Sequence, residues 1–164
     1  MSPISLHRIV AAAALLAMMI GGWYFFRPER RFFDRRVDEP APATVEPVLL
    51  TGSFEPRAHD GRGRVDVLDL GSGQRVVRFS DFETSDGPDL QVYLLGAADA
   101  ANTDDLDRAG FVALGALKGN VGPQNYAIPA DTDLEKYRAV SVWCRRFGVD
   151  FTTAALGRPA SGGS

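Results

Sequence analysis

The chain has 164 residues, 18 basic and 21 acidic side chains, a formal net charge of −3 and 45% hydrophobic residues. That length holds one ordinary domain with additions, and the apolar content supports a real core. The mild acidity argues against nucleic acid as a partner, because a protein that neutralises phosphates needs a cationic surface. The basic residues are nearly all arginine, with lysine only at Lys118 and Lys136. Together with the Ala, Gly and Pro load, this reads as the coding bias of a GC-rich genome rather than as function.

Ile9 to Phe26 reads IVAAAALLAMMIGGWYFF and carries no charge. Eighteen residues at helical rise span about 27 Å, close to the hydrocarbon thickness of a bilayer. Trp23 and Tyr24 sit near its end, where aromatic rings favour the interface. A cleaved signal peptide needs a small-x-small site after the apolar run, but Gly21-Gly22 is followed by four bulky aromatic residues. The expectation is an uncleaved transmembrane anchor over 9–26 behind a short flank, 1–8, with the lipid bilayer as its partner. No cysteine lies here to carry a lipoprotein anchor. Arg27, Arg30, Arg31, Arg35 and Arg36 come after the span and only Arg8 precedes it. Those charges alone would keep the rest in the cytoplasm. A single N-terminal anchor more often exports the chain beyond it, so the expected location is a single-pass cell-membrane protein with an extracytoplasmic domain.

Residues 27–47 read as a linker, Arg-rich and then Pro-rich. Its second half, Asp38 to Pro47, holds three prolines in eight residues and reads as an extended spacer. The globular part runs over 48–156, and the tail 157–164, GRPASGGS, reads as disordered. Within the domain, short alternating patterns predict strands at Leu49–Phe54, Arg64–Leu70, Gln74–Phe79, Leu90–Leu95, Phe111–Leu114, Gln124–Ile128, Ala139–Cys144 and Val149–Thr153. Gly71-Ser72-Gly73 and Gly87-Pro88 are turns. Thr132 to Tyr137 could form one helical turn, and the acidic stretch around Asp99, Asp104, Asp105 and Asp107 reads as a solvated loop. About eight strands with no long helical period predict an all-β fold, an antiparallel β-sandwich or barrel.

The order of motifs is specific. Gly52-Ser53-Phe54 precedes His59, Gly61 and Gly63. Gly87-Pro88-Asp89-Leu90-x-Val92-Tyr93-Leu94 comes next, and then Leu114-Gly115-x-Leu117-Lys118-Gly119 and Gly122-x-Gln124-Asn125-Tyr126. The last block is Val140-x-Val142-Trp143-Cys144-x-x-Phe147-x-Val149-x-Phe151. This run resembles the DM-thirteen domain, a small module found beside DOMON domains in animal extracellular proteins and alone behind an anchor in bacteria. The resemblance covers about Leu50 to Leu156. It implies a β-rich, mostly extracytoplasmic module proposed to act in electron transfer through a signature cysteine, as a bare thiol or as a ligand to a group such as haem. Cys144 matches that cysteine, and His59 matches the family's early histidine. No DOMON partner is present in this sequence.

Cys144, the only cysteine, cannot close an intrachain disulfide. It is a buried filler, an intermolecular link, or a working thiol or ligand. Two arginines come directly after it, and cationic neighbours favour the thiolate. His59 lies in a loop beside Asp60, either solvated or a second ligand or proton partner to Cys144. Covalent c-type haem attachment is excluded without Cys-x-x-Cys-His, and two ligands are too few for structural zinc. Lys118 and Gln124-Asn125-Tyr126 read as turn and strand-start residues. A phosphate loop, a calcium loop and a serine hydrolase are all unsupported. The expectation is therefore a redox module, not an enzyme in its own right, that uses Cys144 with His59 as candidate partner, haem as the implied cofactor and an unidentified redox partner protein. The alternative is a cell-surface binding or structural module in which Cys144 only packs.

Overall fold

The computed structural model describes residues 6–26, 34–43, 46–71 and 73–159. It divides into two units, 1–33 and 34–164. In the first, Leu6–Phe26 forms a 21-residue helix, α1. Over the side chains described there, Val10 to Met19 with Gly21, no helix is long and apolar enough to cross a membrane. Three of the five arginines beyond it, Arg27, Arg30 and Arg31, lie outside the described residues.

The second unit is all-β, as expected, with eight antiparallel strands: β1 (Glu46–Pro56), β2 (Gly61–Asp69), β3 (Arg75–Thr84), β4 (Leu90–Leu95), β5 (Phe111–Ala116), β6 (Gln124–Ile128), β7 (Ala139–Cys144) and β8 (Val149–Ala155). They form one sheet in the order β5-β4-β7-β8-β1-β2-β3-β6. The sheet curls until its two edges, β5 and β6, approach one another without pairing, so it is a nearly closed barrel. β1 turns the corner. Its first part pairs with β2, and Phe54 to Pro56 pair with β8.

Alternation along the strands fills the barrel. Val65, Val67, Val77, Phe79, Val92, Leu94, Val140 and Val142 are wholly buried and form one cluster. Phe54, Phe79 and Phe82 meet in its centre, with ring centroids 4.8–4.9 Å apart. The opposite face of β4 and β7 is also covered. Tyr93, Leu95, Ala139 and Trp143 pack with Ala100 and Leu106 in a second cluster. Leu106 belongs to a short helix, α2 (Thr103–Ala109), in the stretch read as an acidic loop. Asn102 caps it by accepting from the Asp105 amide at 3.1 Å, and Asp104 and Asp105 occupy the first turn, where the helix dipole favours carboxylates. The turn expected at 132–137 is a 3₁₀ turn over Leu134–Lys136.

The stretch 34–40 lies along the barrel rather than apart from it. The Val37 amide donates to the Val121 carbonyl at 2.9 Å, and the Glu39 amide to that of Pro123 at 3.0 Å. Gly119 and Gly122 make room for this strap. A Cβ on Gly122 would lie 2.0 Å from the Val37 carbonyl oxygen, and its φ of 104° already favours glycine. At the other end of the domain, Gly157 pairs with Thr51 through both backbone hydrogen bonds. The rest of the tail beyond Pro159 lies outside the described residues, as does Ser72 in the β2–β3 turn.

Candidate functional site

Cys144 ends β7 on the face that carries Val140 and Val142 into the barrel. Its side chain is 0% exposed, and its Sγ–H donates to the Pro88 carbonyl at 3.1 Å. The loop before β4 is shaped around that contact. A Cβ on Gly87 would come within 2.7 Å of the Phe151 ring, so only glycine lets the loop lie there. Pro88 supplies the acceptor. Asp89 sits in the left-handed region at φ 62°, which aspartate tolerates better than most residues. Leu90 then pairs with Cys144 across the β4–β7 ladder.

Arg145 latches this loop from outside. Its Nε meets Asp89 Oδ2 at 2.8 Å and its Nη2 meets Oδ1 at 3.1 Å, a bidentate fork. Gln91 Nε2 adds a third donor to Asp89 at 2.8 Å. The Arg145 hydrogen bonds hold the Asp89 carboxyl below the usual aspartate range. This changes the role expected of the arginines after Cys144. Arg145 is committed to Asp89 at the surface, Arg146 is exposed, and the sulfur faces the interior.

His59 is exposed in the β1–β2 loop. Its ring stacks on Phe151, with centroids 3.8 Å apart and planes 26° from parallel. The His59 amide also donates to the Phe151 carbonyl at 3.2 Å. Among the described residues no hydrogen bond joins His59 to Cys144. Phe151 bears His59 on its face and Gly87, in the loop before β4, at its edge.

A haem held by Cys144 does not fit this arrangement. The sulfur has no solvent face, its hydrogen is engaged by Pro88, and none of the cavities beside Asp150, Asp60 or Leu134 is lined by Cys144 or His59. Of the two candidate ligands only His59 is exposed. No group of three or more His, Cys, Asp or Glu side chains able to hold a metal occurs among the described residues.

A family model described as "Electron transfer DM13" matches residues 53–156. The chain belongs to the DM13 electron-transfer family. The match begins inside β1 and runs just past β8, so Cys144, the Gly87–Leu90 loop and His59 all lie within this DM13 domain, while the 34–40 strap lies outside it. No curated protein and no solved structure matches the chain.

The DM13 domain also carries a buried acid that alternation hides. Asp150 faces away from the core cluster, where the strand pattern would put a solvated carboxylate, but it is only 2% exposed. The chain around Ala100 and the β1–β2 loop cover that face. Ser141 Oγ donates to Asp150 Oδ1 at 2.8 Å, and the Thr153 hydroxyl donates to Oδ2. Burial pushes the carboxyl up to about 6, against the lowering effect of those two hydroxyls. Asp150 lines a cavity of about 380 Å³ with Arg57, Ala58, Asp99 and Val149.

Lys118 and Gln124-Asn125-Tyr126 serve the strap. Lys118 Nζ bonds Glu39 Oε1 and the Asn125 carbonyl, each at 2.7 Å, and lies 5.2 Å from the Tyr126 ring centroid. The other Glu39 oxygen accepts the Asn125 amide at 2.7 Å. Burial would raise the Glu39 carboxyl, but the Lys118 and Asn125 hydrogen bonds outweigh it and hold it low. Gln124, fully buried, donates to the Gly119 and Gly122 carbonyls and accepts from Tyr126. Burial drives the Tyr126 hydroxyl well above the usual phenol range.

Proposed function

We propose that this DM13 domain is a membrane-anchored electron-transfer module, with the Cys144 thiol as its redox group. The domain is carried extracytoplasmically by the apolar segment Ile9 to Phe26 and exchanges electrons with a partner protein. The family match supports electron transfer. The observation that carries the role of Cys144 is the contact of its Sγ–H with the Pro88 carbonyl, in a loop that the Arg145–Asp89 fork and the Leu90–Cys144 strand pair hold in place. In the oxidising direction the thiol gives one electron to a strong one-electron oxidant on the partner and its proton to a base that the partner brings to the Gly87–Leu90 loop, because the buried sulfur has no solvent face, leaving a thiyl radical. Reduction reverses both. The bare-thiol form is favoured over cofactor ligation because the sulfur is buried.

One observation favours the alternative of a non-enzymatic surface module. A cysteine 0% exposed among valines and leucines packs like any small hydrophobe. The two readings separate in the full chain reconstituted in nanodiscs. Electron exchange with a strong one-electron oxidant, a thiyl radical signal on that oxidation, and loss of both in Cys144→Ser with the fold retained are the results expected of the redox reading. Unchanged exchange in Cys144→Ser would leave only packing. A visible spectrum with and without added haem tests His59 as a ligand, and His59→Ala removes any band it supports. A reporter fused at Ser164 tests the location. Activity only as a cytoplasmic reporter would show that the arginine-rich flank overrides the export habit of a single anchor.

A further inference from the structure

The end of the barrel opposite Cys144 is an open mouth. β7 starts there, just after Arg138, and β8 finishes there, just before Leu156. Six strand residues separate it from the sulfur, on the order of 20 Å. A groove of about 970 Å³ occupies this mouth, at the upper end of the size of small-molecule sites, about 300–1,000 Å³. Its floor is aliphatic: Leu49, Leu50, Leu134 and Leu156 all line it and are only partly buried against the barrel core. Its rim carries Arg138 and Arg158. Arg138 Nη1 donates to the Glu135 and Tyr137 carbonyls, which fixes the guanidinium at the rim; among the described residues its other donors have no protein partner. Among the described residues neither arginine pairs with a carboxylate. Glu135 also lines the groove and is exposed, so the balance at the rim is two cations to one anion.

We infer that this mouth binds a long-chain fatty acid, with the acyl chain along the leucine floor and the carboxylate on Arg138 and Arg158. The leucine floor alone would accept any hydrophobe. Two arginines without carboxylate partners select an anionic head, because a guanidinium presents paired donors that match a carboxylate. A barrel mouth is also a common place for small-molecule sites. The site does not depend on the redox reading, since it involves neither Cys144 nor His59.

The test is photolabelling of the full chain in nanodiscs of zwitterionic lipid with a diazirine-bearing sixteen-carbon fatty acid. The matching diazirine alcohol is run in parallel, and adducts are mapped by mass spectrometry. Saturable labelling of peptides containing Leu49, Leu134 or Leu156, competed by unlabelled fatty acid and weak with the alcohol, is the expected result. Arg138→Gln with Arg158→Gln should raise the half-maximal concentration by at least about tenfold, the size expected for losing even one of the two charge-assisted contacts. Leu156→Trp, which fills the groove with both arginines in place, should also abolish labelling of these peptides. Equal labelling by the alcohol, adducts confined to 9–26, or labelling unchanged in both variants would overturn the inference. So would complete displacement by anionic phospholipid in the disc, which would assign the arginines to a lipid headgroup instead.

Discussion

Replacing Asp150 by asparagine isolates the cost of keeping a carboxyl inside this barrel. The folded carboxyl titrates at about 6 against 3.8 for the ordinary side chain. The folded state therefore holds the proton to higher pH than the unfolded chain does. Below the unfolded value both states are protonated and the group contributes nothing. As pH rises, the unfolded chain ionises first, so folding stability falls until the folded carboxyl has also ionised. The full loss is about 3 kcal/mol, from 1.36 kcal/mol for each pH unit of difference. Of this, roughly 1.4 kcal/mol falls between pH 5 and pH 8. That window is the useful one. Glu39 and Asp89, both held low, contribute stability that is lost as pH falls through their own, more acidic range. Urea unfolding of the 34–164 unit across pH 5 to 8 should show the wild type losing stability as pH rises, by several degrees in a parallel thermal scan. Asp150→Asn should be flat over the same range and at least as stable as the wild type at pH 8, since Ser141 and Thr153 can still bond the amide. A slope that survives in Asp150→Asn, or a wild type that gains stability from pH 5 to 8, would refute the assignment of a buried, partly protonated acid.

Arg145→Ala should release the Asp89 latch and raise the rate of Cys144 alkylation by a small maleimide, while costing little stability, because the pair is exposed to solvent and screened by it. In the native wild type the thiol should react only after urea is added, and an equally fast native reaction would contradict its burial. Cys144→Ala should destabilise by roughly 1–2 kcal/mol in chemical denaturation, from lost transfer energy and the small cavity left behind. Gly122→Val should detach the strap, since its Cβ would overlap the Val37 carbonyl; faster amide exchange at Val37 and Glu39 is the readout. Gly87→Ala, whose methyl would press on Phe151, should move the His59 ring resonances as well as lower the melting temperature. Unmoved His59 signals would mean that Phe151 does not couple the two.

Strand existence and which side chains face inward could be read from the sequence, since inward apolar residues alternate in β2, β4 and β7. β4, β6 and β7 have the bounds expected, and β1, β2, β3 and β8 differ mainly by extending further. Cys144 in a strand, with Val140 and Val142 on its face, was also legible. Alternation did not say what covers the other face. β7 is buried on both sides, because α2 and the Ala100 segment lie over Trp143, and the same cover buries Asp150. The signal for α2 was present in Asn102 three residues before Asp105, a capping pair, but the surrounding aspartates suggested a loop.

By itself the sequence determined a β-rich domain of this family, a lone cysteine late in it, and an apolar segment ahead of it. These come from local spacing and composition, which depend on a few neighbouring residues. Only the tertiary structure decided where the charges go. Arg145 lies next to Cys144 in the chain but turns to Asp89 in another strand's loop. Glu39 leaves a Pro-rich stretch to join Lys118, and His59 reaches Phe151 rather than the sulfur. Each of those choices depends on which strands meet across the barrel, and that pairing is set by closing the sheet around one core.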